Sequence, residues 1–313
     1  MFIARSGAIV VTGASGWVGR SLLEKLHTML PRDEFLARVR AFSSNSGSIC
    51  LDSGLSIPTQ SLSALPELAK KETCSFFLHA AFLTPDRCAA LGHEAYAAIN
   101  RSITKLVETT VRSCSAARVV LFSSGAAALA EPNQPETSPA TLLYGSLKLE
   151  EERRLQSILP PLTLRIYALS GRYIRDPRRY ALGDFIFQAL QGECIKVESP
   201  NRIIRGYVHA DCLAEAALGW LFGDLVAPNN AINAVTHEVD LFELASSVAA
   251  ALGGRRAAPI PVQVNSTSKI YSASPKEFLH FLELLSIDVP SLEYQIRDTA
   301  LAFGAVSSGV KLL

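Results

Sequence analysis

Short apolar runs recur along the first half of the chain, each followed by a stretch with helical spacing. Ala8 to Thr12 (AIVVT) is a continuous, mostly β-branched run ending at Gly13, the pattern of a strand buried on both faces. Val18 to Leu30 then predicts a helix, because Val18, Leu22, Leu26 and Met29 share one face and Pro31 stops the run. Phe35 to Phe42 (FLARVRAF) alternates and predicts a second strand. Ser75 to Ala80 (SFFLHA) and Arg118 to Ser123 (RVVLFS) predict two more. Between these two, Tyr96 to Cys114 supplies a crossover helix, with Ile99, Ile103, Leu106, Val107 and Val111 in helical period. After a Pro-rich loop, Glu131 to Pro139, the charged segment Leu142 to Ile158 predicts a helix and Leu162 to Leu169 (LTLRIYAL) a further strand. This alternation predicts an α/β Rossmann-type fold, a doubly wound parallel sheet. From Gly171 onward the pattern is irregular, with basic loops and helices at Leu213 to Phe222 and around Lys276 to Leu285. It predicts a smaller C-terminal substrate-binding region.

Composition narrows the function. The 313 residues suffice for a full core, and a net charge of +1 with 19% charged residues offers no basic field for nucleic acid. The six cysteines form no CxxC pair and no tight cluster, so neither a disulfide framework nor a metal site is expected, and a reducing cytoplasm is. No signal peptide is read at the N-terminus. No stretch approaches the roughly 20 apolar residues of a membrane span, so no membrane partner is expected.

The string TGASGWVG joins the first strand to the first helix. Gly13 permits a tight turn, Gly16 lets backbone approach a pyrophosphate, and Gly19 lets the helix pack closely. Helix N–H groups and the positive dipole end then face the phosphate. A Walker-type phosphate loop does not fit, because Gly13 and Gly19 stand one residue too far apart and Arg20 occupies the lysine position. Ser15, Gly16, Trp17, Val18 and Gly19 join Gly13 as the expected binders of a dinucleotide. The bland alternative is an ordinary strand-to-helix turn.

Tyr144 and Lys148, in YGSLK, stand four apart and project from one helical face. A neighbouring ammonium favours the phenolate and draws a tyrosine toward work as a base near neutral pH. Alone, such a pair is common on solvated helices. Ser123 and Ser124, however, end a predicted strand at the carboxyl edge of the sheet, where ligands bind in open α/β folds.

Together the glycine turn, the paired serines of FSSGA and YGSLK resemble the extended short-chain dehydrogenase/reductase superfamily, in particular the NAD-dependent epimerase/dehydratase family that acts on nucleotide-sugars. LRIYALSG at Leu164 to Gly171, RGYVHADCL at Arg205 to Leu213 and the closing stretch Ser272 to Thr299 extend the resemblance over nearly the whole chain. It implies that Ser124, Tyr144 and Lys148 are catalytic, with Ser123 as the fallback for Ser124. It implies cofactor contacts at His79, Ala80 and Ala81, an architectural Asn100, and backbone near Tyr167 and Ala168 facing the nicotinamide carboxamide. Arg205 and Arg172 are the expected substrate cations. The resemblance also implies a homodimer through the helices following Tyr96 and Tyr144.

Departures refine this. Gly125 and Ala126 replace an acidic pair, which disfavours a dehydratase. Ala168 and Arg172 replace the family's asparagine and proline. After the second strand the chain reads Ser43, Ser44, Asn45, with no carboxylate to repel a 2′-phosphate; with Arg40 nearby, NADP is preferred over NAD. The expected activity is that of a nucleotide-sugar 4-epimerase or 4-keto-reductase. The alternatives are an NADPH-dependent reductase of a small apolar ketone or aldehyde, against which Arg172, Arg175, Arg178, Arg179, Arg202 and Arg205 argue, and a non-catalytic dinucleotide sensor. Residues 1–171 are expected to form the dinucleotide-binding domain, with 205–233 returning to it, and 172–313 the substrate region.

Overall fold

The computed structural model describes residues 7–114, 116–131, 139–199, 201–253 and 268–304. The Pro-rich loop expected from Glu131 to Pro139 lies mostly outside them. The chain divides into two compact units, Met1–Ile166 with Ala214–Ile232, and Tyr167–Leu213 with Asn233–Leu313.

The first unit is built on seven strands: β1 (Ala8–Thr12), β2 (Val39–Ser43), β3 (Gly47–Cys50), β4 (Ser56–Ser61), β5 (Cys74–His79), β6 (Arg118–Ser124) and β7 (Leu162–Ile166). Their order is β7-β6-β5-β1-β2-β4-β3, and the short strand Ile232–Ala234 lies outside β7. The pairs from β4 to β7 are parallel and β3 runs antiparallel to β4. Strand order reverses between β1 and β5, so a crevice opens at their carboxyl ends, where Thr12 is paired with His79. β1 and β5 are buried at every position, because helices cover both faces. Val10, Phe77, Val119 and Leu121, for example, pack with Val107 and Val111 of the helix His93–Ser113.

Two expectations are corrected. Phe35 to Phe42 is not one strand: Arg32–Arg38 is a helix, and β2 begins at Val39. Asp33 and Glu34 occupy its first turn, Glu34 pairs with Arg38 at 2.5 Å, and only Phe35 is buried, against the His27 ring. The alternation there is accidental. Leu162 to Leu169 is likewise two strands, since β7 ends at Ile166 while Ala168–Ser170 pairs with Ile203–His209 in the other unit. Within the span 205–233, residues up to Leu213 lie in the second unit and Ala214–Ile232 in the first.

That second unit has its own sheet, in which Ile203–His209 pairs with His237–Asp240, Lys269–Tyr271 and Ala168–Ser170. Its core, including Phe185, Ile186, Tyr207, Leu244, Val248 and Ile296, joins the helices Ala181–Leu190, Leu241–Leu252 and Leu292–Ala300 to that sheet. Asp298 ties it together. It accepts from the Arg172 guanidinium at 2.5 and 3.0 Å and bonds His209 Nε2 at 3.1 Å. Burial acts to raise the Asp298 pKa, but His209 and Arg172 hold it below the ordinary value. Among the described residues no helix is long and apolar enough to cross a membrane, and no acidic, His or Cys cluster could hold a metal ion.

Candidate active site

The glycine turn follows β1 directly. Gly13 has φ +69°, and a Cβ there would lie 2.6 Å from the Ala80 carbonyl carbon and oxygen and 2.8 Å from the Ala81 nitrogen. Only glycine fits, because the backbone leaving β5 lies against the turn. Gly16 N–H donates to the Gly13 carbonyl at 2.8 Å. The helix Trp17–Met29 starts there with no side-chain cap and no acidic residue in its first turn. Its N-terminus therefore suits an anion. At the end of β2, Ser43 Oγ donates to the Asn45 carbonyl at 2.6 Å, Ser44 is exposed, and Arg40 is ion-paired with Glu72 at 2.9 Å.

Ser123 and Ser124 end β6, buried and, as consecutive strand residues, on opposite faces. Ser123 Oγ donates to Glu152 at 2.5 Å; Glu152 also binds Arg165, which reaches on to Glu131 at 2.7 Å. Ser124 instead caps the helix Gly125–Leu129, accepting from Ala126 N–H at 3.2 Å. The helix Pro139–Gln156 crosses that short helix closely at Gly145, where a Cβ would lie 2.8 Å from the Ala126 carbonyl carbon and nearer still to its oxygen. Gly145 directly follows Tyr144, so the backbone at the tyrosine lies one residue from this crossing.

Tyr144 is half-buried beside Cys88, Tyr96, Ala97 and Leu147, its ring edge-on to Phe82 at 5.8 Å. Lys148 is buried. Its Nζ donates to the Phe122 carbonyl at 3.0 Å and to Glu151 Oε2 at 2.9 Å, and lies 4.0 Å from the centre of the Phe82 ring. Phe82 thus touches both members of the Tyr-Lys pair. Asn100, wholly buried, binds Leu83 N–H through Oδ1 at 2.8 Å, and Tyr96 donates to the Leu83 carbonyl at 2.6 Å, which fixes the chain after β5. Burial pushes the Tyr96 phenol up, out of competition as a base.

His79, expected beside the cofactor, has both ring nitrogens engaged within the unit: Nδ1 with Thr12 Oγ1 at 2.7 Å and Nε2 with Glu151 Oε1 at 3.0 Å. In the second unit, Tyr167 donates to Asn233 at 3.0 Å and its ring lies 5.1 Å from that of Tyr271, while half-buried Ala168 opens its short strand. The Arg205 guanidinium lies 5.3 Å from the centre of the Tyr271 ring. Arg172 is held by Asp298. Sequence reasoning missed Phe82, Glu151 and Glu152. The signal available for Glu151 was its place three residues after Lys148, on the same helical face.

Fold and site define a Rossmann-type α/β protein of the extended short-chain dehydrogenase/reductase kind. The chain belongs to the NAD dependent epimerase/dehydratase family, whose model matches residues 9–225. No curated protein matches its sequence. Among solved structures it is similar to MoeE5 in complex with UDP-glucose and NAD, with 19% identity and TM-score 0.68, covering 96% of this chain and 100% of that one. It is similar also to a Thermus thermophilus UDP-glucose 4-epimerase in complex with NAD (18%, TM-score 0.67, 96% and 99% covered). A Methanobrevibacter ruminantium UDP-N-acetylglucosamine 4-epimerase, in complex with UDP-N-acetylmuramic acid, matches at 18% and TM-score 0.68 over 96% and 99%. At these identities the likeness is one of fold.

Proposed function

We propose that this chain is an NAD(P)-dependent enzyme acting at C4 of a nucleotide-activated sugar, as a 4-epimerase or a 4-keto-reductase. The observation that supports the reading is the Gly145 crossing, which packs the helix bearing Tyr144 and Lys148 against the short helix that follows Ser124, in the unit that holds the glycine turn. Two solved neighbours support the substrate class, MoeE5 in complex with UDP-glucose and the Methanobrevibacter ruminantium 4-epimerase in complex with UDP-N-acetylmuramic acid.

The uncapped helix N-terminus and the glycine cradle fit a pyrophosphate, so Gly13, Ser15, Gly16, Trp17, Val18 and Gly19 would hold it through backbone, with Ala80 and Ala81 beside them. When bound, the nicotinamide supplies the hydride exchange. Tyr144 takes the proton from the sugar hydroxyl as it is oxidised and returns it on reduction, and Ser124 steadies that oxygen. Lys148 lowers the cost of the tyrosinate and binds the nicotinamide ribose. Ser123 serves Glu152 and Arg165 and leaves the catalytic place to Ser124. Arg205, not the Asp298-bound Arg172, is the substrate cation.

For the cofactor, Ser43 to Asn45 leave a 2′-phosphate unopposed, but Arg40 is committed to Glu72. NADP and NAD are therefore expected to bind within about tenfold of each other, ~1.4 kcal/mol, which titration calorimetry checks. Apolar Ile99 and Leu142, both exposed on the two long helices, support a homodimer, tested by sedimentation.

The decisive assay is turnover over a panel of nucleotide-sugars. A 4-epimerase interconverts sugars without added dinucleotide, whereas a reductase consumes NADPH in step with product. Tyr144→Phe should lower either rate about 10²- to 10⁴-fold while cofactor affinity stays. Turnover unchanged in that variant refutes the mechanism, and reduction of apolar ketones alone refutes the substrate class.

A further inference from the structure

Lys148 is 3% exposed, and the groups around its Nζ are a neutral carbonyl, the face of the Phe82 ring and the Glu151 carboxylate. A buried ammonium is costly unless an anion attends it. Glu151 is wholly buried and held from two further sides: by His79 of β5 at 3.0 Å and by Thr104 of the helix His93–Ser113 at 3.3 Å. His79 is fixed in turn by Thr12, the residue before Gly13. We propose that Glu151 is a positioning residue for the reaction: its carboxylate is the buried partner that holds Lys148 Nζ in place on the helix face it shares with Tyr144 and, through His79 and Thr12, ties that pair to the glycine turn.

Several features favour this over a bare structural pair. Burial acts to raise the Glu151 pKa, but Lys148 and His79 hold it below the ordinary carboxylate value, so it is an anion at neutral pH. The chain of bonds ends at Thr12, itself fully buried. It gives a proton no exit and therefore holds charge and geometry without serving as a relay. The other charged and titratable groups packed on this helix are engaged elsewhere: Glu152 with Ser123 and Arg165, Glu150 with Arg101, Arg154 with Glu108, and the Tyr96 phenol with the Leu83 carbonyl.

The inference rests on the reading of Tyr144 and Lys148 as the reacting pair, and two measurements separate it from that reading. In the first, thermal unfolding is followed for Glu151→Gln, Lys148→Met and the double variant at neutral pH. The double variant should lose less than the sum of the singles, because each single leaves a buried charge alone. Additive losses would overturn the proposal without reference to any activity. In the second, NAD or NADP affinity is titrated against pH by tryptophan emission. In Glu151→Gln the alkaline loss of affinity should begin at least about one pH unit below that of the wild type, and Glu151→Asp should restore its position. A uniform loss at every pH, or an unmoved alkaline limb, would reduce Glu151 to scaffolding and sink the proposal. A wild-type chain that binds neither dinucleotide would refute the functional reading, and the unfolding cycle alone would then decide whether Glu151 carries Lys148.

Discussion

Replacing Gly145 with alanine should separate the fold from the chemistry. The added methyl would stand 2.8 Å from the Ala126 carbonyl carbon, whereas carbon atoms rest about 3.5 to 4.0 Å apart. The helix Pro139–Gln156 must therefore retreat from Gly125–Leu129 by about 1 Å at the residue next to Tyr144. Overpacking of this kind costs about 1 to 3 kcal/mol, and alanine returns about 1 kcal/mol of helix propensity. The net loss of roughly 0 to 2 kcal/mol leaves the protein folded. The chemistry is less tolerant, because a misplacement of about 1 Å costs on the order of 100-fold in rate. The assay pairs thermal unfolding with turnover on whichever nucleotide-sugar proves active. Ser146→Ala, an exposed neighbour on the same helix, should change neither. A folded Gly145→Ala protein within about threefold of wild-type turnover, against the ~100-fold expected, would show that this crossing does not set the tyrosine's position.

Three further outcomes follow from the packing. Arg165→Met leaves buried Glu152 without its cation, so urea unfolding should show a loss of about 3 kcal/mol, partly recovered by adding Glu152→Gln. Asp298 titrates below its ordinary value in the folded state, so its stabilising contribution is full above the unfolded pKa of about 3.9 and disappears as pH falls through the folded value. Asp298→Asn should cost about 2 to 3 kcal/mol at neutral pH and flatten that acid dependence, as unfolding midpoints measured across pH would show. Gly19→Ala places a methyl 2.7 Å from Ala14 Cα, so it should weaken dinucleotide binding at least about tenfold and leave the second unit intact by hydrogen exchange.

The parallel sheet was legible because β1, β5 and β6 are buried on both faces, and such strands write themselves as unbroken apolar runs. β4 was not: its sequence SIPTQS buries only Ile57 and Thr59, too little apolar material for a pattern. The helix Arg32–Arg38 read as a strand because its one buried residue, Phe35, happened to fall in step with β2. The second unit hid for a different reason. Ile203–His209 takes its partners from segments far apart in sequence, and no local period records that. At the candidate site, the Tyr-Lys pair proposed to react was readable because its spacing is local, four residues along one helix. The groups that hold them, Phe82 and Glu152 among them, come together only through the crossing of helices and strands.

That crossing shows why two adjacent carboxylates matter more than either alone. Consecutive residues on a helix point about 100° apart, so Glu151 and Glu152 leave the same turn in different directions. Glu151 reaches His79 on β5, while Glu152 reaches Ser123 on β6 and Arg165 on β7. A helix held at one point can still roll about its axis, but a helix bonded from one turn to three neighbouring strands cannot. The roll of Pro139–Gln156 decides where Tyr144 and Lys148 point, so the face proposed to react is set by carboxylates one to two turns beyond it. On this argument Glu152→Gln, which keeps the hydrogen bond to Ser123 but loses the charge for Arg165, should disturb turnover less than Glu152→Ala, which frees the roll.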